Sequence, residues 1–139
     1  MDYEQLLEVV HRWSRLDRAT NERAVRATLR ALRDRLSPGV ARAVAAALPA
    51  ELLAELHTTH DAERFDVDEL LARIATSEGV DIGTAERHAR AVLLAVRSAL
   101  SPEQFERLAA DLPEDIRALF EPVRIMPAQE FHERVAERA

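Results

Sequence analysis

Displaced by 64 residues, the sequence lies over itself: Asp2–Leu56 falls on Asp66–Phe120 without a gap, and 20 of the 55 pairs are identical. Other pairs exchange one apolar residue for another, among them Val10 with Ile74, Leu16 with Val80, Leu32 with Val96 and Leu52 with Ile116. An ungapped match of this length marks duplication of a structural unit, so the fold of one half dictates the fold of the other. A unit of 55 residues buries only about 60% of the surface its unfolded chain exposes and is marginal alone. The two units are therefore expected to pack together, related by an approximate twofold axis.

Each unit reads as helices. Tyr3, Leu6, Leu7, Val10, Trp13 and Leu16 recur at three- and four-residue steps, the spacing of one face of an amphipathic helix. This places Trp13 and Tyr3 in the core or at its edge. Asp17 then offers a short acceptor suited to capping a second helix, which buries Val25, Thr28, Leu29, Leu32 and Leu36; Asp81 repeats the device. Ser37-Pro38 and Ser101-Pro102 place serine at an N-cap, its hydroxyl accepting a backbone N–H, and proline at the first helical position. Gln104, three residues after Ser101, completes a capping box. Pro49 and Pro113 end one helix and open another. Nowhere does apolar and polar sequence alternate long enough for a half-buried strand.

The expected architecture is all-α: two tandem four-helix repeats packed into one globule, with an extra C-terminal helix. Residues 1–56 form the first unit, the polar stretch HTTHDAERF (57–65) a linker, and 66–120 the second unit. Residues 121–139 hold a connector and the start of an incomplete third unit, because Glu130, Phe131, Arg134 and Val135 fall on Glu69, Leu70, Arg73 and Ile74. Phe131 and Val135 need a surface to cover, either in this globule or on a second copy.

Composition limits the chemistry. With no cysteine and no lysine, there is no thiolate, Schiff base or phosphate-loop lysine, and the three glycines form no phosphate-binding loop. No serine sits in a nucleophile-elbow setting. The opening MDYEQLLEVV is acidic and amphipathic, unlike a signal peptide, and no apolar run reaches the ~20 residues that span a bilayer. The expectation is a cytoplasmic, non-catalytic protein without a cofactor or a membrane partner.

Candidate sites remain few. Arg23, Arg26, Arg30 and Arg33 form a stripe that could meet phosphates. The chain nevertheless carries a net charge of −6, which argues against nucleic acid, and Glu22–Arg26 and Glu86–Arg90 have the spacing of paired, solvated helix faces. His57, His60 and Asp61, with Glu63 nearby, would supply metal ligands were the linker helical there. His88 and His132 read as surface or rim. Leu94 stands where the first unit has Arg30, which suggests that the second unit buries a face the first exposes.

The MDYEQLL opening and its counterpart FDVDELLARIA, the segment ERHARAVLLAVRSALS and the paired endings LPAELLAEL and LPEDIRALF resemble a bacterial family, domain of unknown function 2267. The resemblance spans essentially the whole chain. It implies the fold and carries no active-site residue. The sequence thus points to a protein-interaction or scaffold module with an unidentified protein partner, and to homo-oligomerisation through the C-terminal helix. The alternatives are a nucleic-acid-binding regulator using the arginine stripe, and a metal-binding protein or enzyme of unknown reaction.

Overall fold

The computed structural model describes residues 1–122. Asp2 opens the first helix, α1 (Tyr3–Ser14), through a reciprocal capping box with Gln5. The helix closes at Arg15 in the left-handed conformation (φ 60°). Asp17 caps α2 (Arg18–Arg35), accepting the Thr20 N–H. After α3 (Pro38–Ala47), a 3-10 turn (Ala50–Leu52) runs into the short α4 (Leu53–Leu56). The second half begins with α5 (Val67–Glu78) and α6 (Ile82–Ala99), whose limits fall 64 residues after those of α1 and α2. There follow α7 (Pro102–Ala110), α8 (Glu114–Arg117) and a 3-10 turn (Ala118–Phe120). The described residues are helical with no strand.

The two serine-proline junctions behave differently. Ser101 forms the expected capping box, accepting from the Gln104 N–H while Gln104 accepts from the Ser101 N–H. Ser37 caps nothing with its hydroxyl, contrary to expectation. Its third helical residue is Val40, which cannot reach back. Instead Asp111, at the end of α7, accepts from both the Ser37 N–H (2.8 Å) and its hydroxyl (3.2 Å). A junction that reads as local is therefore completed by the other half.

The same crossing governs the core. The first helix of each half packs on the second helix of the other, α1 on α6 and α5 on α2, while α2 and α6 also meet. Exchanging the halves turns one of these cross-contacts into the other. Leu6 and Leu70, Leu29 and Leu93, and Leu52 and Ile116, each pair 64 residues apart, lie in a single buried cluster. Neither half closes its own core, which accounts for how units of marginal size form a stable body.

Trp13 departs from its expected place: it is 52% exposed. It lies near the end of α1, where the equivalent residue of α5 is Ser77. The apolar period alone could not separate the flank of this stripe from its centre.

Candidate interaction surface

The structure divides the arginine stripe. Arg26 donates to Glu55 Oε1 at 3.0 Å and Arg30 to Glu55 Oε2, so one carboxylate from α4 engages the two central arginines. Burial of Glu55 by itself raises its pKa, but the hydrogen bonds from Arg30 and Arg26 outweigh that and hold the carboxyl below its usual value. Arg33 pairs with Asp34 at 3.3 Å, and Arg23, exposed, reaches only the Thr20 hydroxyl. The anticipated Glu22–Arg26 pair is absent, because Arg18 takes Glu22 at 2.7 Å. Glu86–Arg90 survives as a loose 3.8 Å contact.

Leu94 now has a physical reading. In the second half, Leu119 replaces Glu55 just as Leu94 replaces Arg30. An ionic contact between the second and fourth helices of one half is matched by two leucines in the other. Leu119 is buried and Leu94 half-buried, whereas Arg30 is exposed. Arg90 and Arg97, with no acid at Leu119, donate instead to the carbonyls of Ala118 (3.2 Å) and Phe120 (3.3 Å), and Arg97 also stacks over the Phe105 ring.

His57, His60 and Asp61 lie in the non-helical linker, so the helical spacing that would have converged them does not exist. They line a recess with Glu63, but Arg33 projects into the same space. Among the described residues no group of three or more His, Cys, Asp or Glu side chains is placed to hold a metal ion. Nor is any helix among them long and apolar enough to cross a membrane.

Two polar centres escaped the sequence reading. Arg73 on α5 contacts Glu63 (2.9 Å), Glu69 (2.8 Å) and Asp34 (3.2 Å), and its guanidinium lies 4.2 Å from the centre of the Phe65 ring. The hydrogen bonds it donates to Glu63 and then Glu69 raise its pKa further above the usual arginine range. This hub fastens the linker to both halves, and only tertiary structure assembles it. The second centre is a buried pair: His88 Nδ1 lies 2.7 Å from Glu78 Oε1, with side chains 8% and 2% exposed. His88 is thus interior, not rim. Glu78 Oε2 is buried with no partner. The signal was a joint departure from the repeat, since Ser14 and Ala24 occupy the equivalent positions. Ser14 instead donates to Asn21 Oδ1 (2.7 Å), a neutral contact at the corresponding joint.

An apolar groove runs between α3 and α4, about 730 Å³ in volume, with Pro38, Ala45, Leu53 and Leu56 among its walls and Arg42 and His57 at its rim. Leu53 is 49% exposed there. Its counterpart in the second half is Arg117, and that of Arg42 is Glu106, so the equivalent recess, lined by Ala109, Arg117, Ala118 and Glu121, presents a guanidinium where this one presents Leu53. Phe131 and Val135 lie outside the described residues.

Compared with protein-family models, residues 3–119 match the family described as "Uncharacterized conserved protein (DUF2267)". No curated protein matches the chain.

Proposed function

Because the chain belongs to the DUF2267 family, whose description assigns no reaction, we propose on its own geometry that it is a non-catalytic protein-interaction module. The observation that carries this reading is the α3–α4 groove: an apolar floor with Leu53 half exposed, a polar rim, and an apolar side chain where the equivalent recess of the other half has Arg117. Large apolar side chains arranged this way favour a partner that brings its own apolar face, such as an amphipathic helix. The nucleic-acid alternative loses support because Arg26 and Arg30 share Glu55 and Arg33 faces Asp34, so two acids offset half of the stripe's charge and hold three of its four arginines.

The test is capture of partners from host lysate, with and without nuclease treatment, on the wild-type protein and on Leu53→Asp, with far-UV circular dichroism confirming that both fold. The reading expects a protein retained by the wild type and lost with Leu53→Asp. Retention that disappears with nuclease but ignores Leu53→Asp would transfer the case to the arginine stripe. No retained protein under either condition would sink the interaction reading.

A further inference from the structure

The interface between the halves is apolar in the core and specific at its edges. α1 lies on α6 and α5 on α2, and Leu29 and Leu93 are fully buried in the common cluster. Because the repeat gives both halves the same helices, each carries a face shaped for the other. The hydrophobic effect is non-directional, so apolar matching alone would pair like halves as readily. Two contacts distinguish them. Arg73 of the second half meets Asp34 of the first at 3.2 Å, and Asp111 of the second half accepts from the Ser37 N–H and hydroxyl of the first. The equivalents of Arg73, Asp34 and Asp111 are Val9, Ser98 and Ala47. Two first halves would set Asp34 against Val9 and leave Ser37 facing Ala47. Two second halves would set Arg73 against Ser98 and bring Asp111 to Ser101, whose N–H already donates to Gln104. Both contacts form only between one half of each kind.

Covalent continuity between the halves rests on residues 57–65, which contain no helix. This linker is tied to α2 where the Glu63 N–H donates to the Asp34 carbonyl (2.8 Å) and Arg35 donates to the Phe65 carbonyl (3.2 Å). Fully extended, a segment of this length reaches about 30 Å, enough to carry the second half away from its own first half. Redirecting it to a neighbouring copy gives up those ties, while every contact between the core helices is reproduced there.

We propose that the interface between the halves also operates between molecules: the first half of one chain takes the second half of another copy, giving a dimer whose bodies are each built from two chains. The linker sets when this happens. A short tether holds the halves of one chain at an effective concentration on the order of millimolar. Exchange is therefore a minor state of the intact protein at micromolar concentration, and becomes the main one when a chain's own second half cannot fold. The α3–α4 groove plays no part in it.

Two full-length variants test it. Leu29→Asp puts a carboxylate into the core of the first half and Leu93→Asp into that of the second, both at positions 0% exposed. Each variant alone should lose its cooperative urea transition, because a buried unpaired charge removes one half and the other cannot close a core without it. Refolded together in equal amounts, they should form a heterodimer in which the intact first half of one chain pairs with the intact second half of the other. One body is then complete for two chains, so helical ellipticity per residue should return to about half the wild-type value, rising with total concentration as association requires. Size-exclusion chromatography with light scattering should read the mass of two chains. A mixture whose spectrum is the sum of its parts would overturn the proposal. So would a cooperative dimer formed by either variant alone, since it would show like halves pairing. Should either variant fold as a monomer, Leu32→Asp or Val96→Asp is added to the same half, and the same comparison decides.

Discussion

Replacing Arg30 and Glu55 together by leucine would install in the first half the two residues, Leu94 and Leu119, that occupy the equivalent positions of the second. The structure sets the magnitudes. Glu55 is 9% exposed, while Arg26 and Arg30 are 38% and 50% exposed. Arg30→Leu alone leaves a buried carboxylate with one partner instead of two. A charged hydrogen bond is worth about 1.5–3 kcal/mol, and solvent screening of a half-exposed arginine reduces this to about 1–2 kcal/mol. Glu55→Leu alone removes the desolvated charge and returns two arginines to water, a cost of about 1 kcal/mol or less. If the substitutions were independent, the double variant would lose up to about 3 kcal/mol. Exchange of a buried ion pair for packed apolar groups is instead nearly neutral, so the double variant should stay within about 1 kcal/mol of the wild type. Arg26 then has the Ala54 carbonyl, the counterpart of the one Arg90 uses at Ala118. Urea unfolding of all four proteins measures the cycle. Additive losses, with the double variant about 3 kcal/mol down, would refute the equivalence of the two contacts. Acid supplies a second readout. The carboxyl of Glu55 is held below its ordinary value in the folded protein. Its contribution is therefore complete above the unfolded pKa of about 4.3 and is lost as pH falls through the lower folded value. The double variant should lose less stability than the wild type between about pH 5 and 3.

His88→Ala strands the Glu78 carboxylate and should cost about 3–5 kcal/mol by thermal or urea unfolding; adding Glu78→Ser, which restores the first half's residues, should recover most of it. Gly79 sits at φ 71° with open space around it, so Gly79→Ala should lose about 1–2 kcal/mol through backbone strain alone. At the equivalent cap Arg15 holds φ 60°, and Arg15→Gly should gain up to about 1 kcal/mol, measured in the same way. Asp111→Ala removes the acceptor at the start of α3 and should cost about 1 kcal/mol; an unchanged midpoint would mean that water serves Ser37 equally well.

Which side chains make helices, where those helices start and stop, and that the fold is all-α could all be read from the chain. The period of apolar residues, the Asp17 and Asp81 caps and the serine-proline junctions are local instructions, and α1, α2, α5 and α6 follow them. The exchanges Glu55 to Leu119 and Ser14 to Glu78 were also in view, but their meaning was not. A repeat alignment shows that two positions differ and not that each touches another changed position. Tertiary structure decided that Arg26 and Arg30 face a buried carboxylate instead of solvent, that His88 is interior, that Trp13 lies on an exposed flank, and that Asp111 completes a helix begun 74 residues earlier. The division has one physical cause. Helix periods and caps depend on atoms a few residues apart, which the chain itself holds together. The surroundings of a charge depend on which distant segments arrive beside it, and here they arrive from the opposite half, because each half needs the other to close its core.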